Sequence, residues 1–315
     1  MTIIIWELLS TMLIIVGAMF GFLLILVLIA RFTKLRSLKF NPTALQRGEF
    51  VGNKTFITKD KYELNVLGEI KKESEYIFLC VHDFKNYKEE FEGFIDYCKE
   101  NKTFSAISYD QRGCGENGVD ENAVIGALYS DMNEIIDALK EKYEQKIVLL
   151  ASGKSFALAL KFANDNRVEK VMTTSIFINK AYKNGSALNW SLFMGTIFNL
   201  KKKIITKING IDFSDNEQEA KKIEVNNLEK GKYTVCEYFQ YKSAIKNTKK
   251  LINKSNNKVV IFTPTSDLQL DAKKAARFFT KLNKEKYELV VLENEKHFWI
   301  NLDKKQYFDL ILQKI

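Results

Sequence analysis

Two histidines, His82 and His297, and four cysteines, Cys80, Cys98, Cys114 and Cys236, are the chain's only imidazoles and thiols. The cysteines form no CxxC pair, and two imidazoles cannot complete a usual zinc set, so no metal is expected. The scattered thiols read as free cysteines rather than a disulfide frame. Cys114, between Gly113 and Gly115, reads as a loop thiol rather than a nucleophile. What remains is hydroxyl and imidazole chemistry. Ser152 and Ser155 flank Gly153, where a strand-like run passes into a helix-like one. His297 lies 30 residues beyond Asp267, which leaves room between them for one helix and one strand.

The elements that must position these residues follow from periodicity. Thr55–Thr58 and Tyr62–Leu67 read as a hairpin turning at Lys59-Asp60-Lys61. Tyr76–Val81, Phe104–Tyr109, Ile147–Ala151 and Val168–Thr174 read as strands, and the continuous apolar run of Tyr76–Val81 marks a buried one. Phe91, Phe94, Ile95 and Cys98 recur at helical spacing, as do Met132, Ile135, Ile136 and Leu139. A helix through Ala163 follows the third of these strands. Later come strand Val259–Thr263, helix Ala272–Leu282, strand Glu288–Leu292 and a helix with Phe308, Ile311, Leu312 and Ile315 on one face. Strands alternating with helices of this length predict an α/β fold with a mostly parallel sheet covered on both faces. Residues about 177–255 break the rhythm with an apolar stretch (Leu188–Met194), a lysine cluster at 201–203 and an acidic patch near 212–219. They are read as a cap inserted over the sheet edge.

Leu8–Ala30 is an uncharged run of 23 residues, long enough at about 1.5 Å per residue for a hydrocarbon core of about 30 Å. No Lys or Arg precedes it, as a cleaved signal would require. Arg31, Lys34, Arg36 and Lys39 follow it, so the positive-inside rule puts the C-terminal side in the cytoplasm. The expected organisation is a transmembrane anchor (1–30), a basic linker (31–50) and one large domain (51–315). The net charge of +9 reads as a lysine-rich, solvated surface. No arginine-rich helix or aromatic–basic interleaving points to nucleic acid.

Four segments, in order, resemble the α/β-hydrolase superfamily, and within it small membrane-anchored bacterial lysophospholipase- and esterase-like serine hydrolases. Val81-His82-Asp83-Phe84 resembles the H-G-x segment that shapes the oxyanion hole, with Asp83 where the family has glycine. Tyr109-Asp110-Gln111-Arg112-Gly113-Cys114-Gly115 resembles the structural D-x-R-G-x-G turn, which implies a carboxylate partner for Arg112. Ala151-Ser152-Gly153-Lys154-Ser155-Phe156-Ala157 stands where the family keeps its G-x-S-x-G nucleophile elbow. Two frames compete there. The gapless frame puts Gly153 at the nucleophile position. The shifted frame reads Gly153-Lys154-Ser155-Phe156-Ala157 as G-x-S-x-A, with Ser155 as nucleophile. Ser152 is a third candidate. Pro264-Thr265-Ser266-Asp267 and Glu293–Trp299 resemble the segments that carry the family's acid and histidine.

The resemblance implies an α/β-hydrolase fold with a cap insertion plus one transmembrane helix. It implies His297 as general base and then acid, and Asp267 as the group that orients it. It implies an oxyanion hole from the backbone N–H groups of Phe84 and Lys154. The implied reaction needs no cofactor, and its substrate class is a lipid-like acyl ester from the membrane. Its rival is the same fold without a nucleophile, acting as a binding or scaffolding module at the membrane. A further reading is a dock for lipid headgroups or a protein partner through the positive charge.

Overall fold

A computed structural model describes residues 2–40, 47–118, 120, 124–178, 185–205, 209–230, 232–268, 270–302 and 304–315. Parts of the expected linker (41–46) and cap (179–184, 206–208, 231) lie outside them. The chain opens with helix α1 (Thr2–Arg36), then forms strands β1 (Glu49–Val51), β2 (Thr55–Ile57), β3 (Glu63–Glu69) and β4 (Tyr76–Val81). Helix α2 (Glu92–Glu100), β5 (Phe104–Tyr109), α3 (Ile125–Lys142), β6 (Lys146–Ala151), the short α4 (Phe156–Ala159) and β7 (Val168–Thr173) follow. Next come α5 (Ser186–Phe198), β8 (Lys203–Ile205), α6 (Glu217–Lys230), β9 (Lys232–Thr234) and α7 (Val235–Lys254). The chain closes with β10 (Val259–Pro264), α8 (Ala272–Phe279), β11 (Tyr287–Leu292) and α9 (Lys305–Leu312).

Nine strands form one sheet in the order β1-β2-β3-β5-β4-β6-β7-β10-β11, antiparallel as far as the β3–β5 pair and parallel beyond it. The continuous apolar strands are explained by a core on each face. Ile77, Leu79 and Val81 of β4 join the cluster under α3, α4 and α7, while Phe78 and Cys80 join the one under α2 and α9. β6 divides the same way, as a strand buried on both sides must. The helical spacing read in 91–98 and 132–139 places every one of those residues in a core. Between β7 and β10 the pattern is mixed. β8 and β9 pair as a small separate ribbon. α7, opened by a capping box between Thr234 and Glu237, sends Tyr241, Ala244 and Ile252 into the main core.

α1 stands apart from this body. Its segment Ile4–Leu35 is long and apolar enough to cross a membrane. Its end is tied to the domain: Arg31 Nη1 donates to Thr196 O of α5 (3.1 Å), Gln240 Nε2 of α7 donates to Ser37 O (2.9 Å), and Leu35 is buried.

Arg112 is buried and forks onto two carboxylates. It donates through Nε and Nη2 to Asp131 of α3 (2.7 and 2.8 Å) and through Nη1 to Asp60 in the β2–β3 turn (2.8 Å). This clamp ties the loop after β5 to the hairpin and to α3. Lysine cannot reproduce two bidentate contacts. Arg112→Lys is expected to destabilise the folded chain by about 3 kcal/mol, because two carboxylates lose their planar partner in a poorly solvated site. Denaturant unfolding of the purified protein measures this, and an unchanged midpoint contradicts it.

Candidate active site

Parallel strands end at one edge of the sheet, and ligand chemistry in open α/β sheets gathers outside those carboxyl ends. β4, β6, β10 and β11 deliver His82–Phe84, Ser152–Ser155, Asp267 and His297 to this edge. The register between β4 and β6 is decisive. Val81 pairs with Ala151, so Asp83 and Gly153 each stand two residues beyond the last paired positions of neighbouring strands.

Gly153 has φ +50°, a left-handed conformation that favours glycine, and it forms the tip of the strand-to-helix bend. A β-carbon built there would lie 2.5 Å from Asp83 Cγ and 2.6 Å from its Oδ1. The Asp83 carboxylate therefore fills the volume a side chain at the bend would take. Its Oδ1 accepts from the backbone N–H of Phe84 and from that of Lys154, both at 2.7 Å. Its Oδ2 faces Lys154 Nζ at 3.3 Å and His297 Nε2 at 3.5 Å. The last distance is a charge contact rather than a well-formed hydrogen bond, and Nε2 has no other partner among the described residues. On the other side of the ring, His297 Nδ1 lies 2.7 Å from Asp267 Oδ2.

The charges follow from this packing. For Asp83, burial alone would raise the carboxyl, but the Lys154 ammonium, the His297 ring and the Lys154 N–H outweigh it and hold it well below the usual carboxylate range. For His297, burial alone would lower the imidazole, but Asp267 and Asp83 push it up to about 10. The resting site is thus an imidazolium between two carboxylates. It is also closed, with His297 only 1% exposed and the ring of Phe213 edge-on to it at 5.7 Å.

The serines point elsewhere. Ser155 Oγ accepts from Gln111 Nε2 at 3.1 Å and lies beside the Tyr241 hydroxyl. Ser152, fully buried, lies beside Glu90. No serine hydroxyl is hydrogen-bonded to His297 among the described residues. Of the sequence-derived candidates, the fold brings together Asp267 with His297, and Phe84 with Lys154 and Gly153, but not Ser155 or Ser152 with the imidazole.

Three residues the sequence reading left without a role shape this arrangement. Glu90 accepts from Asp83 N (2.9 Å) and Asn86 Nδ2 (2.7 Å), and burial, with the Asp83 charge adding, raises it to about 7. Gln111 N donates to His82 Nε2 (2.9 Å), and Gln111 Nε2 donates to His82 O (2.6 Å). His82 Nδ1 lies 2.7 Å from Asp83 O, and burial keeps this ring neutral. His82 thus braces the two loops rather than facing the cleft. Asp83 itself carried a signal in its replacement of glycine. What its side chain does depends on the β4–β6 register. No group of three His, Cys, Asp or Glu with metal-site spacing occurs among the described residues.

Solved structures resemble this fold at low identity. A monoacylglycerol lipase of Paleococcus ferrophilus superposes with TM-score 0.67 at 13% identity, covering 80% of this chain and 97% of its own. A soluble variant of monoglyceride lipase from Saccharomyces cerevisiae, solved with a substrate analog, gives 0.65 at 14%, covering 88% and 95%. An esterase of Exiguobacterium antarcticum gives 0.60 at 17%, covering 83% and 98%. At such identities these likenesses speak for the fold alone. No curated protein matches the sequence at a significant level. Residues 72–302, well over half the chain, match the family described as serine aminopeptidase, S33, and the chain belongs to that family of α/β hydrolases.

Proposed function

We propose that this protein is a membrane-anchored α/β-hydrolase-fold module whose hydrolase-type site is silent for serine acyl transfer, and that it binds or scaffolds at the cytoplasmic face of the cell membrane. One observation carries this reading. The Asp83 carboxylate takes the volume above Gly153, both converging backbone N–H groups and the free side of His297. Acyl transfer needs a hydroxyl at that place, a neutral imidazole to deprotonate it and unoccupied N–H groups for the developing oxyanion. The apolar α1, followed by Arg31, Lys34, Arg36 and Lys39, supports the anchor and its orientation.

The aligned Asp267–His297 pair favours a second reading, a serine hydrolase acting on acyl esters such as lysophospholipids or monoacylglycerols, with Ser155 as nucleophile. The lipase and esterase relatives in fold lean the same way. A serine-directed fluorophosphonate separates the two readings. The expected outcome is no labelling of the folded wild type in membranes, nor of Ser155→Ala or Ser152→Ala. Wild-type labelling that disappears only in Ser155→Ala sinks the silent-site reading and establishes the enzyme.

A further inference from the structure

α5 is apolar in an unusual way. Its sequence, Ser186-Ala-Leu-Asn-Trp-Ser-Leu-Phe-Met-Gly-Thr-Ile-Phe198, holds no charged residue. One face is spent on the domain: Leu192, Gly195 and Thr196 are buried, and a β-carbon on Gly195 would meet Val235. The opposite face is uncovered. Trp190 is 63% exposed and Phe193 54%, three residues apart on one side with rings 5.7 Å apart, and Phe198 at the helix end is 69% exposed. A helix without charges that leaves large aromatic side chains uncovered is not built for water.

Its place in the fold says what covers it. Thr196 O of α5 accepts from Arg31, the first cation after the apolar run of α1. Arg31 marks the level at which α1 leaves the hydrocarbon, and Leu28, one turn further in, is half-buried. α7, on the same side, is bonded to the backbone of Lys34 and Ser37. α5 is thereby fixed at the height of the headgroups, next to the point where α1 emerges. Directly after α5 come Lys201, Lys202 and Lys203, all exposed, and none pairs with a carboxylate among the described residues. Aromatic rings beside free ammonium groups, at the level of a membrane span, match the anionic surface of a bilayer.

We propose that the Trp190–Phe193 face of α5 lies in the headgroup layer of the leaflet from which α1 emerges, with Lys201–Lys203 on anionic lipid phosphates. This second point of attachment adds to the contacts between α1 and the domain and holds the α5 side of the domain against the membrane. The inference rests on the anchor reading and is independent of whether the site is silent.

The test uses the full chain in vesicles. All four native cysteines are buried, so a cysteine introduced as Phe193→Cys takes an environment-sensitive fluorophore selectively. Phe20→Cys reports on α1, and Lys284→Cys reports on the opposite edge of the sheet. With phosphatidylglycerol present, the label at 193 is expected to shift to the blue and to be quenched by lipids brominated along the acyl chain. The label at 20 should be quenched in any lipid, and the one at 284 in none. Replacing Lys201, Lys202 and Lys203 by Gln is expected to weaken the quenching at 193, on the order of fivefold in the docking equilibrium per lysine. Quenching at 20 without quenching at 193 in anionic vesicles overturns the proposal and leaves the anchor standing. No quenching at either position overturns the anchor reading, and the docking with it.

Discussion

Asp83→Gly combined with Gly153→Ser is expected to create an esterase where neither substitution alone does. The two positions stand in one register, and the carboxylate of one occupies the space above the other. Gly153→Ser alone forces a β-carbon into Asp83, 2.5 Å from its Cγ, in a left-handed backbone that already disfavours a side chain. Asp83→Gly alone clears the space but supplies no hydroxyl. Together they place a serine hydroxyl within reach of His297 Nε2, because Asp83 Oδ2, which that hydroxyl replaces, lies 3.5 Å from the ring. Removing Asp83 also frees the N–H groups of Phe84 and Lys154 and takes away one of the two negative charges that keep His297 protonated. General-base assistance is worth about 10²–10⁴-fold and an oxyanion donor about 10²–10³-fold. Hydrolysis of a small activated ester should therefore exceed that of either single variant on the order of 10³-fold. A small ester is the right probe because Phe213 covers the imidazole. A double variant that unfolds like the wild type yet neither labels with fluorophosphonate nor hydrolyses the ester would falsify the assignment of Gly153 as a vacated nucleophile position.

This pairing explains which parts of the site could be read from the sequence. β4 is legible because a strand buried on both faces reads as a continuous apolar run, and Tyr76–Val81 is one; β5, Phe104–Tyr109, reads as a strand although it carries Ser105 and Ser108. Asp267 and His297 were legible because each follows a strand and their separation matches the α8–β11 unit between them. The two frames at the bend differ by two residues: the hydrophobic pattern of strand and helix favours the gapless one, and the need for a serine nucleophile favours the shifted one. β6 ends at Ala151, as the gapless frame requires, and the positive φ falls on Gly153. The partnership of Asp83 and Gly153 needs the β4–β6 register, a long-range pairing that no local window contains. The segment between β7 and β10 was opaque for another reason. α5 is apolar on every side because part of it meets the domain and part is uncovered, so it shows no amphipathic period. β1, read as linker, is only three residues long and is held by pairing with β2 rather than by any pattern of its own.

The second large effect concerns the charge on His297. The chain has only two histidines, so ¹⁵N imidazole spectra resolve them directly. His82, buried and neutral, is expected to remain so across the neutral range, whereas His297 stays an imidazolium until about pH 10. An ordinary imidazole titrates near 6.5. The folded state therefore gains stability from His297 that is fully present below about pH 6.5 and is lost as pH rises through about 10. Asp83 acts at the other end. Its depressed carboxyl contributes stability that is present above about pH 4 and is lost as pH falls below it. These two contributions together are flat between about pH 4 and 6.5 and fall on the alkaline side, while Glu90 and Asp131, both raised to about 7 by burial, add a separate loss as pH rises from about 4 to 7. Asp83→Asn isolates the cause. Its amide oxygen can still accept from Phe84 N and Lys154 N, but its NH₂ would confront the Nε2–H of a charged ring. His297 must then release that proton, so its titration should move from about 10 toward the ordinary range, and the alkaline decline should flatten. Losing one carboxylate of a buried ion triad should also cost about 3 kcal/mol at neutral pH. A wild-type His297 already neutral at pH 8 would remove the imidazolium placed between Asp83 and Asp267, and with it one support of the silent-site proposal.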